Sequence, residues 1–71
     1  MPVVSGRTAL KAFARLGYVL DRQTGSHLIL RQSQSPYRRL TVPDHRELAK
    51  GTLRTLIREA GFTVEEFEKL L

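Results

Sequence analysis

Between Tyr18 and Val42 the apolar residues alternate at every second position, whereas on either side of that stretch they recur at spacings of three and four. A period of two belongs to a strand with one covered face, and a period of 3.6 to a helix. The chain is therefore predicted to run helix, sheet, helix. In the first helical stretch Leu10, Phe13 and Leu16 share a face, Ser5 stands at the cap position and Gly17 at the stop. Thr24-Gly25 and Ser33-Gln34-Ser35-Pro36 break the extended stretch into three short antiparallel strands. In the second, Leu28 and Leu30 point to one side and His27, Ile29 and Arg31 to the other; in the third, Leu40 and Val42 oppose Arg39 and Thr41. The strand from Tyr18 to Gln23 does not alternate cleanly, so its facing stays open. After a turn at Pro43-Asp44-His45, Leu53, Leu56, Ile57 and Ala60 mark a second helix that Gly61 ends. Gly51-Thr52 stands at its start, where a simple cap is the ordinary role and a pair of backbone donors for phosphate the alternative. Thr63 with Glu66 forms a capping box for a short third helix carrying Val64, Phe67 and Leu70.

This order predicts an α+β fold, helices on one face of a three-stranded antiparallel sheet with the other face open, in a single domain over residues 1–71. Double-stranded-RNA-binding domains share the order. A chain of 71 residues buries only about 60% of the surface that its unfolded form exposes, so an active site is expected on the surface and not in a deep cavity.

The formal charge is +5, unevenly distributed: residues 1–58 hold eleven basic and three acidic side chains, and residues 59–71 hold one Lys and four Glu. A basic body attracts polyanions, which makes nucleic acid the first partner to consider, with a merely solubilising surface as the alternative. On the outer side of the first helix Arg7, Lys11 and Arg15 fall at i, i+4 and i+8, a stripe that either tracks phosphates or is a solvated face. There is no cysteine, which excludes disulfides and thiolate metal sites and fits a cytoplasmic protein. No apolar run approaches the roughly 18 residues of a membrane span, and the first residues lack the pattern of a signal peptide.

The two histidines, His27 and His45, form no metal-ligand pair, and no Gly-rich phosphate loop or hydrolase triad is present. What remains is metal-free acid–base chemistry on a polyanion, without a cofactor. Cutting RNA this way needs a group to take the 2′-hydroxyl proton, another to protonate the leaving oxygen, and cations for the charge that builds on phosphorus. An imidazole, with an ordinary pKa of about 6.5, suits the first two roles. His27 gathers on the open face with Arg31 and Arg39; its bland alternative is a strand-end histidine bonded to a neighbouring loop. His45 is either a second acid–base or phosphate-binding group or part of a simple turn.

Thr24-Gly25-Ser26-His27 opening a strand, Thr41-Val42-Pro43-Asp44-His45 closing the sheet, and Lys50-Gly51-Thr52-Leu53-Arg54 opening a helix that ends in Ala60-Gly61 together resemble the HicA family of toxins from toxin–antitoxin pairs. The resemblance runs from Gly6 to Phe67. It implies a double-stranded-RNA-binding-like fold, cleavage of messenger RNA, and an antitoxin, HicB, that blocks the toxin. The family's catalytic histidine falls on His27, with Gly25 and Ser26 shaping its approach, while His45 occupies a position where the family often has histidine. Two other readings stand beside it: a module that holds structured RNA without cutting it, and a protein-interaction module whose basic face receives an acidic partner.

Overall fold

The computed structural model describes residues 3–71; Met1 and Pro2, with which the single-domain expectation begins, lie outside the described residues. Its elements are α1 (Gly6–Arg15), β1 (Tyr18–Thr24), β2 (His27–Gln32), β3 (Arg39–Pro43), α2 (Lys50–Glu59) and α3 (Val64–Glu68). The strands form one antiparallel sheet in the order β1-β2-β3, so the predicted α+β architecture holds. In β2 and β3, Leu28, Leu30, Leu40 and Val42 are buried, and the register sets Leu28 against Val42 and Leu30 against Leu40. The same register sets His27 against Pro43, Ile29 against Thr41 and Arg31 against Arg39, the open face predicted from the alternation.

β1 fails to alternate because its ladder slips by one residue between Leu20 and Arg22, leaving Asp21 without a partner. Such a bulge inverts the facing of everything beyond it. Leu20 pairs with Leu30 on the covered side, yet Arg22 pairs with Ile29 on the open side, and Thr24 follows with His27.

α1 starts where Ser5 predicts: the Ser5 hydroxyl accepts a hydrogen bond from the Thr8 amide at 3.0 Å. Its buried face differs from the expected one. Ala9, Ala12 and Phe13 are buried, while Leu10 and Leu16 pack only partly against the core's rim. Small residues under the helix let its first turn press on the end of β3. The approach is closest at buried Gly6, where an added Cβ would run into the Pro43 carbonyl oxygen and the amide donates to the His45 carbonyl at 2.9 Å.

Leu53, Leu56, Ile57 and Ala60 are buried as predicted. Gly51-Thr52, however, is no cap: the N-cap is Ala49, which makes no side-chain hydrogen bond, and both residues lie within the first helical turn. The third helix opens on the predicted capping box, with the Glu66 amide donating to Thr63 Oγ1 at 3.1 Å and the Thr63 amide to Glu66 Oε1 at 2.9 Å. It delivers Phe67 to the core, where the Phe13 ring lies 5.0 Å from Phe67 and 6.0 Å from Tyr18. No side chain with a polar or charged head is fully buried among the described residues except Tyr18, whose hydroxyl donates to the Ala60 carbonyl at 3.3 Å.

Two stability predictions follow from this packing. Gly6→Ala overpacks a contact made by backbone, which has no rotamer to yield, and is expected to cost about 1–3 kcal/mol, read as a lower urea midpoint at unchanged slope. Burial pushes the Tyr18 phenol above its usual range, while the Arg38 charge acts the other way. The unfolded chain then loses that proton first, from about pH 10, and stability falls until the pH passes the folded-state value. Tyr18→Phe is expected to flatten this alkaline decline in thermal melts.

Candidate functional site

The two-residue turn Gly25–Ser26 joins β1 to β2, with Thr24 and His27 as its flanking pair. Gly25 has φ +55° and Ser26 is not left-handed, the pattern of a hairpin turn whose first central residue must be left-handed and is therefore glycine. The turn lifts His27 to the first position of β2 at the rim of the open face. Its side chain is exposed, and no described residue donates to or accepts from the imidazole. The bland alternative, a strand-end histidine bonded to a loop, finds no support here.

Arg31 and Arg39 do share the open face with His27, but four strand positions separate His27 from Arg31, about 13 Å at a rise of 3.3 Å per residue. The two arginines therefore stand at the far end of the face. They also bracket a carboxylate. Arg39 Nη1 lies 3.1 Å from Asp21 Oδ2, and Arg31 Nε lies 4.0 Å from Asp21 Oδ1. Asp21 and Arg22 are residues of the face that sequence reasoning missed: Arg22 owes its facing to the bulge, and Asp21 stands in it. Arg22, opposite Ile29, makes no ion pair with a described residue and stands closer to His27 along the sheet than Arg31 does.

The helical stripe Arg7, Lys11 and Arg15 does not extend this face. α1 packs on the covered side of the sheet, so the exposed Lys11 and Arg15 look away from it. Arg7 leans off the helix instead, its Nε 3.2 Å from Asp44 Oδ1 and its Nη2 3.1 Å from Asp44 Oδ2 and 3.1 Å from Gln23 Oε1. A guanidinium whose Nε–Nη2 edge is taken by a carboxylate has only its Nη1 side left for phosphate.

His45 is exposed and stands two residues beyond Pro43, the partner of His27, at the same end of the sheet. The carbonyl of Ser26 accepts from the Asp44 amide at 2.7 Å, which ties the His27 turn to this segment. Among the described residues no group of three or more His, Asp or Glu could hold a metal ion, and no helix is long and apolar enough to cross a membrane. A groove of about 300 Å³ lined by Val3, Glu47, Leu48, Ala49, Lys50 and Leu53 includes no residue of the open face. The arrangement is a shallow, basic sheet surface with an unpartnered imidazole at one end, suited to a long anionic ligand laid along the strands.

Residues 6–62 match the family model described as the HicA toxin of bacterial toxin–antitoxin systems. The chain belongs to the HicA toxin family. The matched segment of this HicA toxin contains α1, the whole sheet and α2, and with them the His27 turn; α3 lies beyond it. No individual curated protein matched the chain. As the toxin of a toxin–antitoxin system, it implies an antitoxin partner.

The Asp21 ion pairs carry a direct prediction. Asp21→Asn releases Arg31 and Arg39 and removes the one acidic group between them, so the variant is expected to elute from heparin at higher salt than wild type. Its stability should change by no more than about 1 kcal/mol, as is usual for exposed pairs.

Proposed function

We propose that this HicA toxin is an endoribonuclease that cleaves messenger RNA without a metal ion, using His27 as its acid–base group. One observation carries the reading: within the family segment, the sheet face left free by the helices presents an unpartnered imidazole beside a row of cations. RNA laid along β2 would put one phosphodiester at His27 and neighbouring phosphates over Arg22 and then over Arg31 and Arg39.

The reaction uses the substrate's own nucleophile. His27 takes the proton from a 2′-hydroxyl, the 2′-oxygen attacks the adjacent phosphorus, and the bond from phosphorus to the 5′-oxygen breaks. The departing oxygen takes a proton from an acid, and the products are a 2′,3′-cyclic phosphate and a 5′-hydroxyl. His45, at the same end of the sheet, is the candidate for that acid. Gly25 and Ser26 shape the approach to His27, and Arg22 is the nearest cation for the charge that develops on phosphorus. The family's HicB antitoxin would neutralise the toxin by covering this face.

The test compares wild type with His27→Ala on one long RNA in EDTA, following cutting and binding together. Wild type is expected to cut and to leave cyclic phosphate ends, while His27→Ala binds RNA but loses at least about a hundredfold in rate, the scale of a general acid–base contribution. Binding by both proteins without cutting would give the site to a non-catalytic RNA-binding module. Absence of RNA binding at physiological salt would give it to a protein-interaction module. Products with a 5′-phosphate and 3′-hydroxyl would exclude attack by the 2′-oxygen.

A further inference from the structure

The turn that delivers His27 exposes two backbone carbonyls, and both are gripped. Ser26 O accepts from the Asp44 amide at 2.7 Å, and Gly25 O accepts from Gln23 Nε2 at 3.4 Å. The two gripping residues are themselves joined, because Gln23 Nε2 also lies 3.4 Å from Asp44 Oδ2. Arg7 closes the ring: it donates to both carboxylate oxygens of Asp44, at 3.2 and 3.1 Å, and to Gln23 Oε1 at 3.1 Å. The three side chains come from α1, β1 and the segment after β3, which are far apart in the chain. Gly6 presses the first turn of α1 against Pro43 and bonds the His45 carbonyl, so the base of Arg7 is anchored beside the group it binds.

We propose that Asp44, held by Arg7 and Gln23, is a positioning residue for His27. The inference rests on the reading of His27 as the acid–base group. A two-residue turn has few internal bonds to fix its tilt, and any tilt moves the imidazole relative to a phosphate held elsewhere on the sheet. Displacement by about 1 Å can cost about a hundredfold in rate. Gripping both turn carbonyls removes that freedom, and the bidentate Arg7 contact keeps the Asp44 carboxylate from turning to solvent. It also reassigns Arg7, whose charge serves Asp44 and not RNA.

The experiment measures single-turnover cleavage at saturating RNA for Arg7→Ala, Asp44→Asn, Gln23→Ala and the double variant Arg7→Ala/Asp44→Asn. Affinity is measured separately with each change placed in His27→Ala protein. Each single change is expected to slow cleavage by about ten- to a hundredfold while affinity moves by less than about threefold. The double variant should be no slower than its slower parent, as for groups acting through one unit. If His27→Ala abolishes cutting but Asp44→Asn and Gln23→Ala cut at the wild-type rate, the positioning role is wrong and the assignment of His27 stands. If His27→Ala cuts normally, the assignment itself falls and takes the positioning role with it. Arg7→Ala weakening RNA binding as much as cleavage, with effects that multiply with Asp44→Asn, would make Arg7 an RNA-binding cation and overturn the inference. Circular dichroism separates slow variants from unfolded ones, and Gln23→Ala, which removes an exposed side chain, decides the matter if Asp44→Asn does not fold.

Discussion

A sheet of three short strands offers two faces, and a chain of this length has helices enough to cover only one. Fifteen hydrophobic residues are buried among the described residues, and they join α1, the covered sheet face, α2 and α3 in a single cluster. With apolar burial worth about 25 cal/mol per Å², the chain has nothing to spend on the second face. That face stays wet, and the polar and charged residues required for solubility there are the ones available for chemistry. One-sided burial therefore determines where a site can exist before any particular residue is considered.

Within that frame the open face is divided. His27 sits at the turn end, Arg31 and Arg39 at the far end around Asp21, and Arg22 between them. Such a spread along the strands suits a polymer with repeating charges better than a small anion. A carboxylate between two guanidiniums also offsets their mutual repulsion and holds them near each other, at the cost of having to be outcompeted by the ligand. The balance between those effects is an electrostatic matter, screened by salt over about 10 Å at 0.1 M.

Much of this was legible in the sequence for a physical reason: β2 and β3 alternate without interruption, so each residue's parity gives its face, and Ser5 and Thr63 announce their helices through local hydrogen bonds. Legibility ended where contacts became non-local or the period slipped. The bond between Arg7 and Asp44 joins residues 37 positions apart, and spacing along α1 assigns Arg7 to a stripe with Lys11 and Arg15 that it leaves in the folded chain. Leu10 and Leu16 look like the core of α1 by size, yet Ala9 and Ala12 occupy it because a close helix–sheet approach favours small side chains. Leu20 and Arg22 differ in facing despite their even spacing, since Asp21 stands outside the ladder.

The extra residue in β1 means that part of the face is specified by how many residues the strand contains and not only by which ones. Substituting Asp21 alters a charge; deleting its codon would pull the ladder back into step. With the hairpin turn fixed, every pairing from Thr24–His27 to Tyr18–Gln32 would survive that loss, whereas removing Val19 instead would set Asp21 against Leu30 on the covered side. The strand thus has something like a reading frame: the bulge is the position whose loss leaves the pairing unchanged, and a deletion elsewhere in β1 exchanges faces as no replacement does.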